Sequence, residues 1–136
     1  MAKAPKLYRV KDDPVWMVSE AAEGVEASLV DDLIEISGLS QRRVSEDYFN
    51  LSYKTVSRYI RDKKKLNPRD SETAIRLMAL FHKGIDVMGT LDSFNAWLSK
   101  PAFGLGDRVP ADLLITHAGI QLVMDELRRI EFGALA

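Results

Sequence analysis

The sequence predicts an all-α protein. Two observations carry that prediction. Apolar residues recur at three- and four-residue intervals over 25–37 (Val25, Leu29, Leu33, Ile36) and over 111–131 (Gly119, Ile120, Val123, Leu127, Ile130), with charged residues between them. Start and stop residues bracket short segments in a helical rhythm: Gly38 after the first run, Ser40 and Ser52 as N-caps, Pro68 in a first turn.

Composition sets the outer limits. At 136 residues the chain makes one domain or two small ones. An apolar share of 46% with 29% charged residues is that of a globular protein rather than a disordered one. With no cysteine, disulfides, thiolate nucleophiles and zinc-thiolate sites are excluded. No apolar run approaches the roughly 20 residues that span a bilayer, and no signal-peptide pattern opens the sequence. The expectation is a cytoplasmic protein without a membrane partner.

Charge is unevenly distributed. The net value is −1, yet residues 41–65 carry eight basic side chains against three acidic ones. Positive charge concentrated in one block attracts a polyanion locally even when the whole is neutral. A solvated charged turn over 61–65 explains the same run equally well.

In chain order, residues 1–22 read as an N-terminal arm. They lack helical periodicity and hold Pro5, Pro14 and three lysines, with Val15, Trp16 and Met17 as a hydrophobic clip. Residues 23–88 form the next domain. Its first helix covers 25–37 and a second covers 41–49. Asn50, Leu51 and Ser52 make a turn, and a third helix covers 53–62 with Val56, Tyr59 and Ile60 inward. This is a helix-turn-helix pattern. Its third helix would enter a major groove N-terminus first, where Tyr53, Lys54, Ser57 and Arg58 reach phosphates or base edges. Thr55 either donates from its hydroxyl or packs beside the turn. The helix starts at Gln41, Arg42 and Ser52 suit phosphate, and Lys63 and Lys64 add nonspecific attraction. Two residues depart from the usual pattern: Glu46 stands where a small residue is common, and Asn50 stands at the turn glycine. Asparagine tolerates the left-handed conformation. A central helix over 71–83 and a short one over 84–88 follow.

Residues 89–136 are the last domain, a hairpin of helices over 91–99 and 111–131 expected to pack on the first module. Trp97 and Leu98 are its buried anchors. Here a series of elements stands in order: Trp97-Leu98, Pro101, Leu105-Gly106, Pro110, Leu113-Leu114, Thr116, Gly119, Leu127, Arg129-Ile130 and Gly133. The series resembles the C-terminal toxin-binding domain of the Xre/MbcA/ParS antitoxins. Asp107 replaces the second glycine of that family's Gly-Gly pair. Leu51-Ser52, Thr55, Arg58, Leu66, Ser71, Arg76 and Leu77 likewise resemble an Xre-like module.

The resemblance implies an antitoxin that binds and occludes a cognate RES-domain toxin, one that depletes NAD. It also implies a homodimer that represses its own operon on palindromic operator DNA. For toxin binding, Arg128 and Arg129 would pair with acidic groups at the rim of a concave site. The small apolar end, Phe132, Gly133, Ala134, Leu135 and Ala136, would enter that site. Alternatively the end frays and the apolar hairpin face binds. A different class of function is a stand-alone repressor whose C-terminal domain only dimerises. Catalysis has no support: His82 and His117 stand singly, and no phosphate- or dinucleotide-binding glycine pattern is present. No cofactor or metal is expected.

Overall fold

The computed structural model describes residues 7–133. Among these the regular structure is helical, with two isolated β-bridges, Glu26 to Lys65 and Ala102 to Arg108, and no strand. The chain divides into two compact units, Met1–Met78 and Ala79–Ala136.

The first unit opens with a helix where an aperiodic arm was expected. Helix α1, Pro14–Glu23, starts from an Asp13 cap whose carboxylate accepts the Val15 N–H at 3.0 Å. Pro14 occupies the first turn, where no N–H is needed. Only Ala21 of this helix is buried, so it shows little apolar periodicity in sequence. Val15 is exposed, and Trp16 and Met17 are half-buried. The Tyr8 hydroxyl donates to Glu20 of this helix.

Helix α2, Ser28–Ser37, buries Leu29, Val30, Leu33 and Ile36, and Gly38 ends it in the left-handed conformation, φ 67°. Ser40 then caps the next helical stretch, accepting the Arg43 N–H at 3.0 Å. That stretch runs over 41–49 as expected, but its centre, Arg43–Tyr48, is π-wound. The wider turn changes which residue faces inward. Ser45 is fully buried and Glu46 is exposed, paired with Arg42 at 3.3 Å. Ser45, one position before Glu46, is thus the small residue that this stretch turns inward, and a π-turn accommodates an extra residue in the helical register. Asn50 takes φ 53°, and the Leu51 N–H reaches back to the Ser45 carbonyl at 2.9 Å.

Helix α3, Tyr53–Arg61, buries Val56 and packs against both α2 and the π-wound segment. It ends at Lys63, φ 53°, with the Lys63 and Lys64 N–H groups closing onto the carbonyls of Ile60 and Tyr59. The chain then returns to the start of α2. Leu66 N–H donates to the Val25 carbonyl at 2.8 Å. The buried Ser71 hydroxyl accepts from the Val25 N–H and donates to the Leu66 carbonyl. This strap gives the lysine run a defined backbone.

Helix α4, Pro68–Met88, is one helix where two were expected. Gly84 does not interrupt it; a Cβ there would lie 2.3 Å from the Phe94 ring, so the glycine is a packing residue. In the second unit Thr90 caps helix α5, Leu91–Leu98. Its core aromatic is Phe94, fully buried, edge-on to Phe81 at 5.2 Å and stacked on Trp97 at 6.0 Å. Trp97, expected in the core, is only half-buried because Phe94 fills the space over Gly84. Two short 3-10 turns follow, Phe103–Leu105 and Pro110–Leu113, and then helix α6, His117–Gly133. The expected helix over 111–131 is thus divided at Thr116, whose hydroxyl accepts the Gly119 N–H at 3.0 Å. Gly119 packs so tightly on the Leu113 carbonyl that an added Cβ would overlap it.

Candidate partner-binding surfaces

The first surface is built on α3. Ser52 sets its start: its hydroxyl accepts the Thr55 N–H at 3.1 Å and donates to Thr55 Oγ1 at 2.9 Å. The Thr55 hydroxyl is thereby engaged at the cap. The Tyr53 hydroxyl donates to Asp31 on α2 at 2.8 Å, which raises its pKa through that hydrogen bond and burial. Its ring therefore fixes the orientation of the helix while its hydroxyl is engaged.

Lys54, Ser57 and Arg58 remain exposed. Together with Tyr53, Thr55 and Arg61 they line a shallow depression of about 510 Å³. Lys54, Arg58 and Arg61 fall at i, i+4 and i+7, one helical row, so a cationic stripe runs along the exposed face of α3. Arg61 was missed as a site residue, although that spacing is visible in the sequence; it pairs with Asp62 at 3.3 Å while staying largely exposed. Lys63 is exposed, and Lys64 Nζ lies over the Tyr59 ring at 4.5 Å. Gln41 and Arg42 are also exposed, on the preceding π-wound helix, but Glu46 already engages Arg42. They do not line the α3 depression.

The second surface is on α6. Ile120, Val123 and Leu127 are buried, and Arg128, Arg129, Phe132 and Gly133 are exposed. Ala134, Leu135 and Ala136 lie outside the described residues. Arg128 is loosely held by Asp125 at 3.5 Å. Arg129 is held by two short bonds, 2.7 and 2.6 Å, to the carboxylate of Glu126. That carboxylate, 6% exposed, raises the guanidinium pKa further. Glu126 in turn lies against Gly104, where a Cβ would come 2.0 Å from its Oε2. Sequence reading did not single out Glu126; a glutamate three residues before an arginine on a helix was the available signal.

Phe103, in the 3-10 turn, was also missed and is 91% exposed. Its turn holds the Gly106 and Asp107 pair at φ 63° and 60°; aspartate thus takes up the left-handed conformation of the absent glycine. Among the described residues no group of three or more metal-ligating side chains is placed to hold an ion, and no helix is long and apolar enough to cross a membrane.

Comparison with known proteins bears on the second surface. Residues 83–133 match the family of the antitoxin Xre/MbcA/ParS C-terminal toxin-binding domain. The chain is 34% identical over 74 residues to an antitoxin Xre of Yersinia enterocolitica, covering 53% of this chain and 49% of that protein. It thus spans about half the length of that relative. It is also 25% identical over 142 aligned positions to an antitoxin Xre of Photorhabdus laumondii, covering 95% of each chain. These are antitoxins and not enzymes, and the similarities support an Xre-type antitoxin.

Proposed function

We propose that the chain is the antitoxin of a toxin-antitoxin pair, and that it neutralises a RES-domain, NAD-depleting toxin by direct binding and occlusion of its active site. The observation that carries this reading is the match of residues 83–133 to a toxin-binding domain. Supporting it, α6 exposes Arg128, Arg129 and Phe132 over a buried apolar face, so contact residues stand on a rigid element. The toxin-binding set is Arg128, Arg129, Phe132 and Gly133, extended by Ala134, Leu135 and Ala136.

The same chain would repress its own operon as a homodimer. Helix α3 would lie in the major groove, with Lys54, Ser57, Arg58 and Arg61 forward and Lys63 and Lys64 on phosphate. Two such helices would read half-sites about 34–36 Å apart. The connected cationic row on α3 supports this, because phosphate attraction supplies most of the affinity of such contacts.

The test is co-expression with the protein encoded by the neighbouring gene. Growth rescue, restored NAD levels and co-purification are expected. A chain that binds operator DNA but neither binds nor silences that protein would instead be a stand-alone repressor. Removing 132–136 should release toxin activity without lowering the melting temperature. Full neutralisation by the truncated chain would transfer the contact to the hairpin face.

A further inference from the structure

Phe103 is the most exposed large apolar side chain of the described residues, yet it stands on a turn closed by backbone hydrogen bonds. The Gly106 N–H donates to the Phe103 carbonyl at 3.2 Å. On either side the Ala102 carbonyl accepts the N–H groups of Leu105 and Asp107, each at 3.0 Å. The Ala102 N–H donates to the Arg108 carbonyl at 3.0 Å, closing the loop. An apolar ring held in water on a rigid turn contributes nothing to folding. It loses little conformational freedom on meeting a partner, which is what an anchor residue needs.

Its surroundings point the same way. Gly104 lies against the Glu126 carboxylate, and Glu126 grips Arg129, so the Phe103 turn stands beside that guanidinium. Leu122, 53% exposed, and Phe132, 68% exposed, are seven residues before and three after Arg129, on the same side of α6. Aromatic and arginine side chains grouped in this way are the usual composition of an interface hot spot.

We infer that Phe103 is the principal anchor of the toxin contact. Its ring would fill an apolar pocket on the toxin, next to an acidic group that meets Arg129. This rests on the antitoxin reading: the patch lies wholly within residues 83–133, the segment that matches a toxin-binding domain. It goes beyond that reading by naming a site outside α6 and its tail, and by stating the chemistry of the complementary surface.

The experiment measures affinity of the purified neighbouring-gene product for the full chain and for Phe103→Ser, Phe103→Leu and Val18→Ser. Val18 is a comparably exposed apolar residue in the first unit, 69% exposed. Phe103→Ser should weaken binding about 30-fold or more, with Phe103→Leu intermediate and Val18→Ser unchanged. All three should melt within a degree or two of the wild type, since both side chains stand mostly in water. Wild-type affinity in Phe103→Ser overturns the inference and leaves the antitoxin reading standing. A change confined to self-association of the free chain also overturns it, assigning the patch to a second copy. Failure of the wild-type chain to bind overturns the antitoxin reading and this inference with it.

Discussion

The exchange of roles between Phe94 and Trp97 yields a sharp prediction about the second unit. Phe94 is fully buried, in contact with Phe81 and Trp97 and seated over Gly84, whereas Trp97 is half-buried. Phe94→Ala removes a whole ring from a closed space and should cost about 4 kcal/mol, including the cavity left behind. Trp97→Ala should cost about 2 kcal/mol, since much of its ring already meets water. Gly84→Ala tests the same packing from the other side. On an exposed helix that change is worth about 1 kcal/mol of stabilisation. Here the new methyl lies 2.3 Å from Phe94 atoms, and overpacking of about 2–3 kcal/mol should reverse the sign. In a cycle of Gly84→Ala, Phe94→Leu and the double variant, the smaller side chain should recover part of that loss, giving non-additivity of about 1 kcal/mol. Urea denaturation of the full chain, followed by circular dichroism, measures all five variants. A Trp97→Ala cost above that of Phe94→Ala, or a stabilising Gly84→Ala, would refute the packing described.

Other outcomes follow from the same geometry. Lys54→Ala with Arg58→Ala should weaken operator binding and lower the salt slope of log K by about 4, two phosphate contacts being lost from each protomer of the bound homodimer, in an assay run at several salt concentrations; toxin neutralisation should not change. Gly119→Ala should destabilise by about 3 kcal/mol, because the added Cβ overlaps the Leu113 carbonyl and the backbone must move; an unchanged melting temperature would refute that close approach. Burial, with the hydrogen bond and charge of Glu20, raises the Tyr8 hydroxyl from its ordinary value near 10 to about 12. The stability it contributes is therefore fully present below pH 10 and is lost as pH rises through about 12. Tyr8→Phe should flatten that alkaline decline in a melting series between those limits, and an identical decline in the variant would refute the linkage.

Much of the first unit was legible because its signals are local. Ser40, Ser52 and Gly38 act through hydrogen bonds or dihedral angles within a few residues, and each stands where caps were expected. The cationic row on α3 was legible for the same reason, since helix spacing alone brings Lys54 and Arg58 to one face. Helix α1 was not, because a helix that buries one alanine leaves no periodic trace. The π-wound segment was not either. Glu46 looked like a misplaced residue, and only the path of the chain around the buried Ser45 reveals that the register had shifted.

In the second unit the order of prolines, glycines and leucines was enough to indicate its family resemblance and the helices α5 and α6. What that order did not reveal were the reasons for the glycines. Gly84, Gly104 and Gly119 are each occupied by something distant in sequence or across a turn: the Phe94 ring, the Glu126 carboxylate and the Leu113 carbonyl.

The amino-acid sequence by itself determined the all-α class, the caps at Gly38, Ser40 and Ser52 and the positive block over 41–65, because these depend on neighbours within one or two helical turns. Tertiary structure alone decided that Phe94 and not Trp97 fills the core, that Glu126 fixes Arg129 against Gly104, and that Phe103 stays in water. Those outcomes depend on which segments meet across a turn, and such meetings are settled by the filling of shared space, a quantity no local pattern encodes.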